Sequence, residues 1–336
     1  MAENSKIQWT DHTFNPWWGC EKVSPGCNNC YAETLAKRTG FVQWGTGKDR
    51  RRTSAANWRG PVKWNKEAEK AGVRARVFCA SMADWLDDAV PVDWLADLLA
   101  LIAATPHLDW QLLTKRPENW RKRLEAVVEH VAAGLTDEEA DLRPPSWALG
   151  VQDWLGGTPP ANVWAGTTVE DQRRAHERIL HLLRIPALVR YLSMEPLLEA
   201  VSLRWLSAWP LNAPTTAQSP TGMTDHLDGL RRLDWVIVGG ESGHDARPFD
   251  LAWARSIRDQ CAEAGVACFV KQFGASAWSN LRADHLGRIA DGSIGSAEVK
   301  AEPMRLWLKD GHGGDWDEWP ADLRVRQFPE VPDAPR

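Results

Sequence analysis

The chain has 336 residues, 43% hydrophobic and 25% charged, which is enough apolar material for a full core in one large domain or two smaller ones at ~150 residues each. Its formal net charge of -5 excludes a global attraction to nucleic acid, so any polyanion site has to be local. No run of ~18 consecutive apolar residues is present and Met1 to Thr10 has no signal-like apolar stretch, so no membrane partner is expected and the expected address is the cytoplasm.

Short apolar runs rich in β-branched and aromatic residues alternate with longer stretches able to hold a helix, which predicts parallel βαβ units. In chain order the expected strands are Thr13 to Gly19, Arg76 to Ala80, Leu108 to Leu113, Asn162 to Gly166, Leu188 to Leu192, Leu233 to Val238 and Ala267 to Val270. Helical spacing of apolar residues marks Val92 to Ala103, Asp171 to Leu183 and Leu251 to Glu263, the last ending at Gly265. Wound in order with right-handed crossovers, such units give an α/β fold, either an open doubly wound sheet or a partial or complete (β/α) barrel with outer helices.

Two stretches interrupt the rhythm, an acidic one with prolines from Thr136 to Pro160 and a Pro/Ser/Thr-rich one from Trp209 to Asp228; both are expected to be surface excursions or lids. Residues 1–309 then hold the barrel. Asp310 to Arg336 is expected to be an irregular tail packed on it by Trp316, Trp319 and Phe328.

Most strands end in polar groups: Ser81 and Asp84, Thr114-Lys115-Arg116, Thr167 and Glu170, Ser193 and Glu195, Glu241 and Ser242, Lys271 and Gln272. A strand must end in something polar, yet recurrence at six strands marks this edge as the candidate site, where barrel active sites sit. Glu170 and Glu195 are candidates for ribose or amino contacts, and Lys115, Arg116 and Lys271 for carboxylate or phosphate contacts, with Gln272 beside them. Gly239-Gly240 can bring backbone close to a cofactor because glycine has no side chain to obstruct it, with Glu241 next to it to bind a hydroxyl or ammonium group.

Of six cysteines, Cys20, Cys27 and Cys30 crowd into eleven residues with C-x6-C-x2-C spacing, while Cys79, Cys261 and Cys268 stand apart as small apolar residues. In a reducing compartment structural disulfides are not expected. The turn signal Pro25-Gly26 lets three thiolates approach one centre, and thiolate sulfur suits both zinc and iron-sulfur clusters. Three cysteines leave one metal corner open to an outside ligand.

Asn15-Pro-Trp-Trp-Gly-Cys20, Cys27-Asn-Asn-Cys30-Tyr31, Leu113-Thr-Lys-Arg-Pro117, Ser193-Met-Glu-Pro196, Gly239-Gly-Glu-Ser-Gly243 and Lys271-Gln272, in that order, make the chain resemble the radical S-adenosylmethionine superfamily, and more closely an uncharacterised phage-associated branch of it. The commonest spacing there is C-x3-C-x2-C with an aromatic before the last cysteine; here the first gap is six and the aromatic, Tyr31, follows. The resemblance implies a 4Fe-4S cluster on Cys20, Cys27 and Cys30 in the first loop of a partial barrel. It also implies S-adenosylmethionine on the open iron, and an external electron donor. Its reductive cleavage would yield a 5'-deoxyadenosyl radical that abstracts hydrogen from an unknown substrate. Tyr31, Ser81, Asp84, Glu170, Glu195, Gly239, Gly240 and Glu241 are the expected cofactor contacts; Lys115, Arg116, Lys271 and Gln272 are the expected substrate contacts.

Two other readings suit the same residues. A structural zinc could use the three cysteines with His12 as fourth ligand. A non-catalytic, nucleic-acid-binding phage accessory protein could use the basic stretch Lys48 to Arg76, with Arg50, Arg51, Arg52, Arg59, Lys63, Lys66, Lys70, Arg74 and Arg76 interleaved with Trp58 and Trp64. If that stretch borders the cluster, the radical enzyme would act on nucleic acid or a nucleotide. Neither a Gly-x4-Gly-Lys-Ser/Thr phosphate loop nor a Gly-x-Ser-x-Gly elbow is present.

Overall fold

The computed structural model describes residues 3–134, 144–204, 206–207, 226–279 and 304–331. Seven strands form one sheet: β1 (His12–Phe14), β2 (Ala75–Cys79), β3 (Leu108–Thr114), β4 (Val163–Thr168), β5 (Val189–Met194), β6 (Trp235–Gly239) and β7 (Ala267–Gln272). Each pairs in parallel with the next in sequence. Strands added in one direction and crossed over on one face curl the sheet, and the result is a half-barrel with helices around it. Besides a single turn at Ala55–Trp58, the helices among the described residues are α1 (Tyr31–Thr39), α2 (Gly60–Ala71), α3 (Val92–Ala103), α4 (Trp120–Ala133), α5 (Ser146–Leu155), α6 (Gln172–Leu182) and α7 (Leu251–Ala264).

The strands are apolar on both faces, as buried parallel strands require. Outward residues such as Val77, Cys79, Leu112, Ala165, Leu192, Val236 and Val270 join the helix-facing core. Inward residues Phe78, Trp164, Val189, Tyr191, Trp235, Ile237 and Phe269 gather with Trp9 into an aromatic plug. Trp235 is its hub, edge-on to Trp9, Trp164 and Phe269 at 6.2, 6.0 and 6.0 Å between ring centroids. Gly166 is required here, because a Cβ on it would lie 2.3 Å from Tyr191 Cζ. The plug fills the amino-terminal half of the half-barrel and leaves the carboxyl-terminal half for a site.

Caps act where the chain turns into helix. Asp171 accepts the Arg174 N–H at 2.8 Å to start α6, Asp250 accepts that of Ala252 at 2.8 Å to start α7, and Gly265 ends α7 in the left-handed region at φ 72°. The first strand is shorter than its expected range Thr13 to Gly19. Pro16 offers no N–H to a ladder, and Trp17–Trp18 turns away to pair antiparallel with Arg51–Arg52.

The expected excursion from Thr136 to Pro160 is in part a packed element. Ala148, Val151 and Trp154 recur along one face of α5 and are buried, and Trp154 Nε1 donates to the Pro186 carbonyl at 2.7 Å. Residues 136–143 of that stretch, 209–225 of the second and 332–336 of the tail lie outside the described residues. The described part of the tail, 310 to 331, holds two short 3-10 turns; Trp319 is buried against Phe273, and Phe328 lies 5.5 Å from Trp235 and 5.4 Å from Phe269 between ring centroids. Among the described residues no helix is long and apolar enough to cross a membrane.

Candidate functional site

A cavity of about 790 Å³ opens at the carboxyl ends of the strands, within the size range of small-molecule sites. The loop between β1 and α1 forms one wall. A short 3-10 turn, Pro25–Cys27, folds it back, and Cys30 caps α1, so Cys20, Cys27 and Cys30 all line the cavity. Of the other residues singled out in the sequence, Tyr31, Ser81, Asp84, Lys115, Arg116, Glu195, Gly240, Glu241 and Lys271 line it too. Glu170, Gly239 and Gln272 do not, and each is engaged in holding backbone.

Glu170 is fully buried and accepts from Arg178 Nη1 at 2.8 Å and from the Gly26 N–H at 3.2 Å, which ties the turn between the cysteines to the end of β4. Burial pushes its carboxyl up, but the Arg178 guanidinium, the Ser24 hydroxyl, Lys115 and the Gly26 N–H outweigh that and the net shift is downward. Gln272 Nε2 donates to the Gly240 carbonyl at 3.2 Å. Gly240 lines the cavity, and a Cβ on it would meet the Phe273 carbonyl oxygen at 2.0 Å, so packing alone already requires glycine there.

Glu241 lines the cavity as well. Its carboxylate takes both ends of the Arg247 guanidinium, at 2.7 and 3.0 Å, the Arg247 N–H at 3.0 Å and Asn29 Nδ2 at 2.9 Å. Asn29 also donates to the Asp245 carbonyl at 2.7 Å, and Arg247 Nη1 to the Pro25 carbonyl at 2.9 Å. Glu241 thus fixes the segment between Cys27 and Cys30 instead of offering a free carboxylate. Burial raises its carboxyl, but Arg247 and Asn29 together lower it by more, for a net downward shift.

Cys20 sits at the end of a charge relay. Asp84 accepts from Thr114 Oγ1 at 2.7 Å and the Lys115 N–H at 2.8 Å and pairs with Arg116 at 3.2 Å, and Arg116 Nη1 reaches Cys20 Sγ at 3.5 Å. Burial, and after it the Asp84 charge, push the Cys20 thiol up to about 11 while Arg116 pulls it down. Asn15 fixes the opposite flank by accepting the Met82 N–H at 2.8 Å and donating to Ser81 Oγ at 3.0 Å; the Ser81 carbonyl accepts the Tyr31 hydroxyl at 2.7 Å.

Among the described residues no three His, Cys, Asp or Glu side chains are gathered closely enough to hold one metal. A mononuclear zinc needs all its sulfurs at ~2.3 Å from one point. His12, the expected fourth zinc ligand, does not line the cavity and stacks on Trp64 at 4.4 Å.

The basic stretch is largely engaged in the fold. Arg50 pairs with Asp87 at 2.7 Å in the interior, Arg52 with Asp97 at 2.6 Å, Lys63 with Glu3 at 2.9 Å, Arg74 with Asp109 at 2.6 Å and Arg76 with Asp11 at 3.1 Å. Trp64 is buried, and Trp58 stands edge-on to Phe14 beneath Arg52. Arg59, Lys66 and Lys70 remain exposed.

Sequence reasoning missed Asn15, Asn29, Arg178 and Arg247, which hold the cysteine loop, and Thr168 and Trp9, which line the cavity. Asn29 stood inside the motif itself; Arg178, eight residues after Glu170, resembled an ordinary exposed helix cation. Searches of curated proteins and of solved structures find no match to this chain. A family model described as "Protein of unknown function (DUF5131)" matches residues 4–298, most of the chain, and the protein belongs to that family.

Proposed function

We propose that this protein is a radical S-adenosylmethionine enzyme with a 4Fe-4S cluster on Cys20, Cys27 and Cys30. One observation carries the reading: the three cysteines line a single cavity at the carboxyl edge of a parallel half-barrel, on a loop clamped from two sides by Glu170 with Arg178 and by Glu241 with Arg247. When bound, the cluster and S-adenosylmethionine supply a 5'-deoxyadenosyl radical, one electron from an external donor cleaving the sulfonium to methionine and that radical. The chain's own residues do the rest. Arg116 offsets thiolate charge at Cys20, Glu195 and Lys271 form an ion pair on the far wall, and Trp9, Phe78 and Leu113 exclude water from below.

The test is absorption and electron paramagnetic resonance of anaerobically purified protein, before and after dithionite and again with S-adenosylmethionine. A variant with Cys20, Cys27 and Cys30 all changed to Ala serves as control. A 4Fe-4S signal that the cofactor perturbs and the control lacks is the expected result. A colourless protein holding one zinc after reconstitution with iron and sulfide would overturn it.

A further inference from the structure

The strand register places three polar residues in one row across the cavity floor. Thr114 pairs with Thr167 and Thr168 with Ser193, so Lys115, Thr168 and Ser193 are neighbours on adjacent strands, roughly 5 Å apart. All three line the cavity. The row just below, Leu113, Gly166 and Tyr191, is apolar apart from the Tyr191 hydroxyl.

Two features of this row lack an explanation in the folded chain. Thr168 is 1% exposed and its Oγ1 has no hydrogen-bond partner, although a buried hydroxyl ordinarily has one. Four cations line the cavity: Lys6 is solvent-exposed, Arg116 is held by Asp84, and Lys271 by Glu195. Lys115 is half-buried, and among the described residues its ammonium has no ion-pair partner. Glu170 is near enough to feel its charge, but that carboxylate is already taken by Arg178 and the Gly26 N–H.

We infer that Lys115, Thr168 and Ser193 form an oxyanion subsite, and that the molecule the enzyme acts on is an acid whose carboxylate or phosphate sits on this row with its apolar body against Trp9, Phe78 and Leu113. The inference deepens the proposed function and rests on it only in calling the acid a substrate; anion binding itself needs no cluster. Lys115 supplies the charge, and the two hydroxyls donate to the remaining oxygens.

Binding of inorganic phosphate and, separately, of benzoate to the full chain without its cluster tests the subsite by calorimetry, and the two arms separate a phosphate from a carboxylate ligand. Lys115→Gln weakens the preferred anion about tenfold or more, Thr168→Val several-fold, and Lys115→Arg restores most of the loss; unchanged melting temperatures show that the variants fold. Absence of binding in both arms, or equal binding by Lys115→Gln, overturns the subsite. In reconstituted protein, S-adenosylmethionine affinity stays unchanged in Lys115→Gln; a parallel loss there would assign the oxyanion to the cofactor and overturn the substrate class. Failure to assemble a cluster would sink the radical-enzyme reading and leave the anion measurements standing.

Discussion

The two walls of the cavity employ their polar groups in opposite ways. Around the cysteine loop, Glu170, Arg178, Asn29, Glu241 and Arg247 satisfy one another and the loop backbone, so little hydrogen-bonding capacity is left over. Along β3 to β5, Thr168 Oγ1 faces the cavity with no hydrogen-bond partner, and Lys115 faces it with no ion-pair partner among the described residues. Satisfied groups position, and unsatisfied groups stay available to recognise, because leaving a desolvated polar atom without a partner costs free energy that a ligand can restore.

Substitutions on the first wall should therefore cost stability, and those on the second should cost only binding. The largest effect is expected for Arg178→Met, which leaves the fully buried Glu170 carboxylate unpaired and costs about 3–5 kcal/mol by denaturant unfolding. A loss below about 1 kcal/mol would break the comparison. Glu241→Gln, which weakens a partly buried pair, costs about 1–3 kcal/mol and, on the proposed function, lowers cluster occupancy by loosening the segment between Cys27 and Cys30.

Acid titration sharpens the same contrast. Glu170 and Glu241 are both held below the usual glutamate value of 4.5 in the fold, so their contribution is fully present above that pH and is lost as pH falls through their folded values. Unfolding free energy measured from neutral pH downward should drop less steeply in Glu241→Gln than in the unaltered protein; parallel curves would remove Glu241 from the account. Smallest of all, Lys115→Gln should leave stability within about 0.5 kcal/mol, the range of a surface change, despite its place inside the cavity.

Much of the scaffold was legible because it is written in local pattern. The runs Arg76 to Ala80, Leu108 to Leu113 and Ala267 to Val270 are strands within a residue or two, and Val92 to Ala103 is a helix with the expected ends. α5 was hidden by the prolines and acidic residues that flank it, although its own apolar spacing was present. The choice between an open sheet, a partial barrel and a closed one depends on whether the first and last strands meet, which no local pattern encodes. At the site, the cysteines were readable from spacing alone. The roles of Glu170 and Glu241 were not, because a carboxylate at a strand end looks the same in sequence whether it faces a ligand or an arginine 8 or 6 residues further on.

The tail matters for the sheet's outermost strand. Residues from 310 onward lie beyond the family match, which ends at 298, yet Val270 donates its N–H to the Val325 carbonyl at 2.8 Å and Gln327 donates to that of Cys268 at 2.9 Å. Phe269 and Arg326 face each other in an antiparallel bridge, and the Gln327 side chain accepts the Cys268 N–H at 3.0 Å. A half-barrel, unlike a closed one, has a raw margin, and unpaired strand margins recruit other chains. These few residues act as a selvedge: cut away, they would leave β7 free to stitch one molecule to the next.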